Sequence, residues 1–397
     1  MVRASEISAA ARDAAAAVDA DEVIALARAL IRSPSENPGG TEDGPAGIVA
    51  EVLAGLGAAP ETVRSPGGRP SVLGELGRGE RSLVFNGHLD VVPAGEADAW
   101  PHPPYEAAIA DGLMWGRGSA DMKGPVAAAL GAAAAIRRAG IEPAGRLVFH
   151  LVADEEYMGT HGTAVLLREG HLRGDACVVG EPSELSIGLA QRGGAWIRAT
   201  SHGTIAHGST PHLGVNAIES MARFVLASPD ALPDRTHPLT GGPTINVSTI
   251  EGGRSFNVVP DRCEVAVDRR AVPGETLDDV VAGIDRVLQT LANRHPGFDV
   301  SIDVKDWCEP AETADDAPIV TALRAAAGDV LGQPPDETGF TGITDARFYT
   351  NDAGVPAVLY GPGSLTVAHT ANEHIALDEL VDGARVYAQT FVRFLTG

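Results

Sequence analysis

The sequence predicts an α/β protein. A larger domain carries a mainly parallel, mixed sheet flanked by helices, and a smaller α+β domain of ferredoxin-like order is inserted into it. Three observations predict this. Three short apolar runs, residues 82–85, 146–152 and 176–179, alternate with helical stretches at 126–139 and 162–168. Each run ends in polar residues: His88 with Asp90, then Asp154-Glu155-Glu156, then Glu181. From about residue 191 to 304 the order changes to β-α-β-β-α-β, and beyond 305 the earlier style returns. Residues 1–190 and 305–397 therefore form one discontinuous domain, with 191–304 inserted. Insertion at a surface loop is tolerated because little buried backbone is disturbed.

The elements follow in order. Asp21 caps a helix through Ile31, whose Ile24, Leu26, Ala27 and Leu30 supply an apolar side. Residues 34–44 are a turn-rich loop, and a helix over 46–56 ends at Gly57. Strands occupy 71–76 and 82–85. The loop 91–118 is long and holds Trp100, Tyr105 and Trp115, and long loops in compact domains tend to be functional. The nearly all-apolar helix 126–139 is buried. In the insert, strands at 194–201, 244–250, 263–269 and 300–304 surround helices at 215–226 and 277–292. A helix over 319–330, a strand over 357–360 and a helix over 377–395 close the chain.

Composition narrows the partners. The 397 residues are 44% hydrophobic, enough for a sizeable core, and the formal charge is −23. That charge disfavours nucleic acid and anionic membrane. Lys123 and Lys305 are the lysines, so nearly all positive charge is arginine, which matches carboxylates bidentately. Cys177, Cys263 and Cys308 lie far apart, which speaks against a disulfide framework or thiolate cluster and suits a reducing compartment. The N-terminus is alanine-rich and lacks the apolar core of a signal peptide, and no run approaches the roughly 18 apolar residues of a membrane span. The expectation is a soluble cytoplasmic protein.

The polar strand ends carry the chemistry. His88 and Asp90, two apart on an extended backbone, point the same way, so the imidazole can hold a metal while the carboxylate orients it. A simple turn explains the pair equally well in isolation. Asp121 follows glycines that permit tight turns; it is a ligand or the N-cap of the next helix. Asp154, Glu155 and Glu156 crowd one strand end, and clustered carboxylates repel unless a cation or proton is present. One glutamate can then bind metal while the other handles protons. Glu181 arrives by the same logic. His369 completes the shell, with His374 its competitor; spacing separates them poorly. Oxygen and imidazole donors fit zinc, with cobalt or manganese as alternatives.

Together, Asn86-Gly-His-Leu-Asp-Val-Val-Pro93, Trp115-Gly-Arg-Gly-Ser-Ala-Asp-Met-Lys-Gly124, Asp154-Glu-Glu156, Gly180-Glu-Pro182 and His369 resemble the M20 metallopeptidase family, in its acetylornithine deacetylase / succinyl-diaminopimelate desuccinylase branch. The resemblance spans nearly the whole chain. It implies two divalent ions per chain, one held by His88, Asp121 and Glu181 and the other by Asp121, Glu156 and His369. Asp121 bridges them, and a cis peptide follows it. It further implies that Asp90 orients His88 and that Glu155 is general base and then general acid. The insert becomes a lid and dimerisation domain, whose His207 steadies the oxyanion of the partner subunit and whose Asn257 touches substrate across a homodimer. Arg270 pairs with a substrate carboxylate.

Thr338-Gly-Phe-Thr-Gly-Ile-Thr-Asp-Ala-Arg347 resembles a desuccinylase motif but departs from it at Phe340, Ile343 and Ala346, which narrows or greases the acyl pocket. Arg347 binds either a substrate carboxylate or a structural acid such as Asp345. The implied activity is hydrolysis of the amide of an N-acyl amino acid, an amidohydrolase rather than a peptidase. An M20 dipeptidase or carboxypeptidase acting on small peptides is the alternative. A non-catalytic binding protein on the same fold is more remote, because no expected ligand or base is missing.

Overall fold

The structure, a computed structural model, describes residues 4–39 and 42–397; part of the 34–44 loop thus lies outside the described residues. The chain divides into two compact units. One comprises Met1–Leu189, Thr313–Thr338 and Thr344–Gly397, the other Ala190–Glu312 with Gly339–Ile343. The expected boundary at 304/305 is therefore displaced. The strand Val300–Cys308 stays paired with Gly193–His202 as far as Cys308↔Gly194, which keeps residues 305–312 in the second unit. A further short excursion, Gly339–Ile343, also belongs there.

The strands of the larger sheet run in the order Glu61–Arg64, Pro70–Gly77, Arg146–Val152, Ser82–His88, Ala176–Val179, Ala357–Leu359 and then Ile187–Gln191, at whose Leu189 this segment of the first unit ends. The middle of this mixed sheet is parallel and its flanks antiparallel. Ser82–His88 is buried along its whole length, and a strand covered on both faces reads as a continuous apolar run rather than an alternation. Helices Lys123–Arg138 and Leu377–Thr396 pack on one another and on this strand. Phe85 meets Tyr387 edge-on at 5.3 Å and Phe149 at 5.9 Å between ring centroids. Close packing needs small residues here: a Cβ on Gly131 would come within 2.5 Å of Val23, and one on Gly87 within 2.8 Å of Val126.

Two local readings change. The second helix is Ala20–Ile31, and its cap is Asp19, whose carboxylate accepts from the amides of Asp21 and Glu22. The alanine-rich N-terminus forms a helix, Ala4–Ala16, that packs on Leu377–Thr396. Alanine's high helix propensity favours it, and Ala11, Ala14 and Ala15 are its buried residues.

Parallel register places the site. His88 pairs with Val152 and Asn86 with Val179, so the residues after all three strands leave the sheet at one edge. That is where open α/β sheets bind ligands.

The second unit is an antiparallel sheet in the order Thr244–Gly252, Arg262–Ala271, Gly193–His202, Val300–Cys308. Helices Ala217–Ala227 and Leu277–Arg294 supply Met221, Phe224, Val280 and Ile284 to a core shared with Ile197, Val265 and Val267. Thr276 and Asp279 close a capping box at the second helix.

Below the metal-facing edge, His150 Nδ1 lies 2.7 Å from Tyr349 Oη, which also receives Asn86 Nδ2. Burial, aided by His171, lowers the His150 pKa to about 3. Between about 6.5 and 3 the unfolded chain thus binds a proton that the folded chain does not. Stability is fully present above the unfolded value and declines as pH falls towards 3, with a slope of about 1.4 kcal/mol per pH unit. Chemical denaturation of the metal-free protein at pH 7, 6, 5 and 4 is expected to show this loss relative to His150→Gln. Parallel curves for the two proteins would refute it.

Candidate metal centre

Asp121 joins the two halves of the site. The residue is buried; its Oδ1 lies 2.9 Å from His88 Nε2 and its Oδ2 3.2 Å from His369 Nε2. One carboxylate thus faces two imidazoles, one from each end of the chain. It does not cap the following helix: the cap position of Lys123–Arg138 is Met122, without a side-chain cap bond. The Asp121-Met122 peptide is cis. His369 Nε2 also sits 3.0 Å from Glu156 Oε2. His374 points elsewhere, its Nδ1 2.6 Å from the Asn372 carbonyl and its ring 4.5 Å from that of Trp115. Geometry, which spacing lacked, separates the two histidines.

Asp90 does a different job from the one expected of its carboxylate. His88 Nδ1–H donates to the Asp90 main-chain carbonyl at 2.9 Å, while the nearer carboxylate oxygen is 3.7 Å away. The carboxylate instead accepts the amides of Glu155 (3.1 Å) and Glu156 (3.2 Å). A group two residues from His88 therefore fixes the turn that carries the two glutamates. Asp154, left-handed at φ 65°, anchors the start of that turn. Its oxygens accept from Arg69 Nη1 (2.5 Å), Asn37 Nδ2 (3.1 Å), Thr160 and the His161 amide. Asn37 Nδ2 also donates to Asp90, and Arg69 pairs with the buried Glu42.

Two groups of ligand atoms lie within 4.8 Å of one another: His88, Asp121 and Glu156, and His88, Glu155 and Glu181. Each group has the donor types and the spacing to hold a divalent ion. The acids are electrostatically in conflict without a cation. Burial and the Glu181 charge push the Glu155 pKa well above the usual carboxylate range, and burial and Asp121 do the same to Glu181. Glu156 is raised by burial and Asp121. Asp121 goes the other way: burial opposes ionisation, but His369 and His88 hold it low. Its hydrogen bonds to Asp121 and Glu156 raise His369 to about 10. A divalent ion removes this repulsion and inverts the local pKa order. Glu181 Oε1 fits such an ion, being a buried acceptor with no hydrogen-bond donor among the described residues.

Glu373 was not legible in the sequence. Fully buried, its Oε1 accepts the amides of Ala120 (3.0 Å) and Asp121 (3.1 Å), and its Oε2 takes Arg117 Nη1 at 2.5 Å. It sits four residues after His369 and so ties Asp121 to the histidine loop. A buried acid beside a candidate ligand was the available signal, and sequence offers no way to know what it meets.

In the second unit, His207 is exposed on the short strand Ala206–His207, which pairs with Val258–Val259. Its Nδ1 is 2.7 Å from Ser209 Oγ. Asn257 is a neighbour, since its carbonyl accepts the Gly208 amide at 2.8 Å. Arg270 makes a bidentate pair with Asp268 at 2.8 and 2.9 Å, so the fork expected to meet a substrate carboxylate is already engaged. Arg347, in the first unit, donates to the Met158 carbonyl at 2.8 Å, and its charge opposes the burial that raises the Asp345 carboxyl to about 6.

Comparison with known proteins agrees with this geometry. The profile of peptidase family M20/M25/M40 matches residues 84–393. A succinyl-diaminopimelate desuccinylase of Paracoccus denitrificans is 31% identical, over 93% of this chain and 97% of that one. An N-formyl-4-amino-5-aminomethyl-2-methylpyrimidine deformylase of Bacillus subtilis is 30% identical over 92% and 93%. Among solved structures, an M20 family metallo-carboxypeptidase from Sulfolobus solfataricus superposes with a TM-score of 0.78 at 20% identity, covering 95% and 99%, which shows a shared fold.

Because Asp121 faces both histidines, Asp121→Ala is expected to abolish binding at both positions, whereas His369→Ala leaves about one zinc per chain. Elemental analysis after dialysis measures this. Full retention of one tightly held ion by Asp121→Ala would refute the shared role.

Proposed function

We propose that this chain, which belongs to peptidase family M20/M25/M40 in its deacetylase and desuccinylase branch and is a metal-dependent hydrolase of amide bonds, removes the acyl group of a small N-acyl amino acid. The observation that carries the reading is the Asp121 carboxylate divided between His88 and His369, with Glu155 set beside them. Relatives named for removing succinyl and formyl groups from nitrogen support an acyl rather than a peptide substrate.

His88, Asp121 and Glu181 would hold one ion, and Asp121, Glu156 and His369 the other. Zinc suits these oxygen and imidazole donors, with cobalt or manganese as substitutes. When bound, such a pair polarises the amide carbonyl and acidifies water. Glu155 then does the proton work. It accepts a proton from the attacking water and delivers it to the departing amine nitrogen. Asp90 keeps it in place through its amide. Glu155 offers an oxygen within 4.8 Å of ligand atoms of His88 and Glu181, and zinc retention by Glu155→Gln separates base from ligand.

The second unit acts as a ferredoxin-like lid and dimerisation domain. The exposed edge strand Thr244–Gly252 and the exposed Ile218 and Leu226 of the neighbouring helix support pairing with a second copy. Across that homodimer, His207 steadies the oxyanion and Asn257 touches substrate. Ser209 fixes His207 Nδ1, which leaves Nε2 to donate. Arg270 meets a substrate carboxylate only by leaving Asp268. No helix among the described residues is long and apolar enough to cross a membrane.

A panel of N-acetyl, N-formyl and N-succinyl amino acids against dipeptides, assayed with zinc-loaded protein, tests the substrate class. Faster turnover of dipeptides than of every N-acyl amino acid would overturn it. Glu155→Gln is expected to keep its zinc while kcat drops by about 10²–10⁴-fold. Zinc loss from this variant, with rescue by excess zinc, would place Glu155 in the ligand shell. His207→Ala alone is expected to be nearly inactive. Mixed dimers of His207→Ala with Glu155→Gln should regain activity at one of their two sites, and no regain in verified mixed dimers would refute action across subunits.

A further inference from the structure

The turn that carries Glu155 and Glu156 is held from outside by a residue that the reaction scheme does not use. Residues 155–157 form a single 3₁₀ turn. It begins at Asp154 and ends at Met158, both left-handed at φ 65° and 75°, and Gly159 follows at φ 66°. L side chains avoid this region, so surrounding contacts must impose the shape. Inside the turn, the Met158 amide donates to the Glu155 carbonyl at 3.0 Å and the Gly159 amide to the Asp154 carbonyl at 2.7 Å. Asp90 and the Asp154 partners fix its beginning.

Its far end is fixed by the segment 345–348. Arg347 Nη2 donates to the Met158 carbonyl at 2.8 Å, and the guanidinium lies 3.9 Å from the centre of the Phe348 ring. Asp345 is buried, and its Oδ2 accepts Thr163 Oγ1 at 2.5 Å. Gly159 is wedged against the same segment: a Cβ there would stand 2.7 Å from Asp345 Oδ1 and 3.1 Å from the Phe348 ring. Arg347 and Asp345 thus clasp Met158–Gly159 from two sides.

We propose that Arg347, seated with Asp345 and Phe348 against Met158–Gly159, is a positioning residue that holds Glu155 and Glu156 in register, rather than a receptor for the substrate carboxylate. Its Nη2 is held by a main-chain carbonyl and its plane lies over a ring face, while its Nε is buried with no partner among the described residues. Such a hydrogen bond and stacking contact suit arginine and not a point charge. The inference rests on the proposed role of the Glu155–Glu156 turn and not on which amide is cleaved.

The test compares wild type with Arg347→Met and Arg347→Lys on two substrates: the amide substrate wild type cleaves fastest in the panel, and its analogue with the free carboxylate converted to a carboxamide. A positioning role predicts that Arg347→Met lowers kcat by about ten- to a hundredfold on both substrates, with KM within about twofold, because small misplacement of reacting groups costs rate. Arg347→Lys should recover part of kcat. Zinc titrated away with a graded chelator should leave Arg347→Met at several-fold lower chelator for the ion held by Glu156, a readout that needs no turnover. A rise in KM confined to the carboxylate substrate would overturn the proposal in favour of substrate recognition. Unchanged kcat and unchanged zinc retention would overturn it as well. Gly159→Ala, which pushes on the same clasp from the other side, should reproduce the kcat loss. If wild type prefers dipeptides, the deacylase reading fails while this comparison still stands.

Discussion

Repulsion among buried carboxylates is the constraint around which this structure is arranged. Glu155, Glu156, Glu181 and Asp121 meet at one edge of a parallel sheet, where burial alone disfavours their charge. Such a cluster is tolerable only with cations between its members or protons on them. Imidazoles from His88 and His369 supply part of the compensation, and divalent ions complete it. A site with this much unfavourable self-energy has to be held by its surroundings. The supporting bonds are accordingly numerous, and several come from residues far away in the chain.

That support is organised in layers. Parallel pairing sets the strand ends side by side with main-chain bonds, Leu89 to Val152 and Gly180 to Asn86. Carboxylates outside the candidate ligand groups then fix the loops: Asp90 the Glu155–Glu156 amides, Glu373 the Asp121 amide, and Asp154 the beginning of its own turn. Arginines balance those acids, Arg69 for Glu42 and Asp154, Arg117 for Glu373. Each pair is largely withdrawn from water. Removing one member would strand a buried charge, which is far costlier than losing a surface ion pair. The acidic composition of the chain thus has two origins: a solvated surface, and a structural group of acids around the centre.

The second unit has a different logic. Its sheet packs two helices on one face and leaves Thr244–Gly252 as an edge with mostly exposed residues. Its polar functional candidates, His207 and Asn257, lie at a two-stranded ribbon whose pairing is extended by a backbone bond at Gly208, where a side chain would crowd the Asn257 backbone. Whatever this ribbon meets, it meets with exposed atoms, whereas His88, Asp121 and Glu181 of the metal centre are buried.

The sequence by itself determined the α/β class and the central strands of the larger sheet, though not its flanking strands Glu61–Arg64 and Ile187–Gln191. Continuous apolar runs mark doubly covered strands, and polar residues at their ends mark the edge where chemistry collects, as in Ser82–His88 leading to Asp90. The motifs that resemble the M20 family extended this to His369, which spacing left unresolved against His374. Only the tertiary structure decided which atoms act. Asp90 turned out to serve His88 through its carbonyl and the glutamates through its carboxylate. Arg347 found Met158, 189 residues away, and Glu373 found Asp121, 252 residues away. The reason is physical. Strand formation depends on local periodicity that a sequence displays, whereas the partner of a buried charge is fixed by three-dimensional proximity and by the cost of leaving it unpaired, and neither is written along the chain.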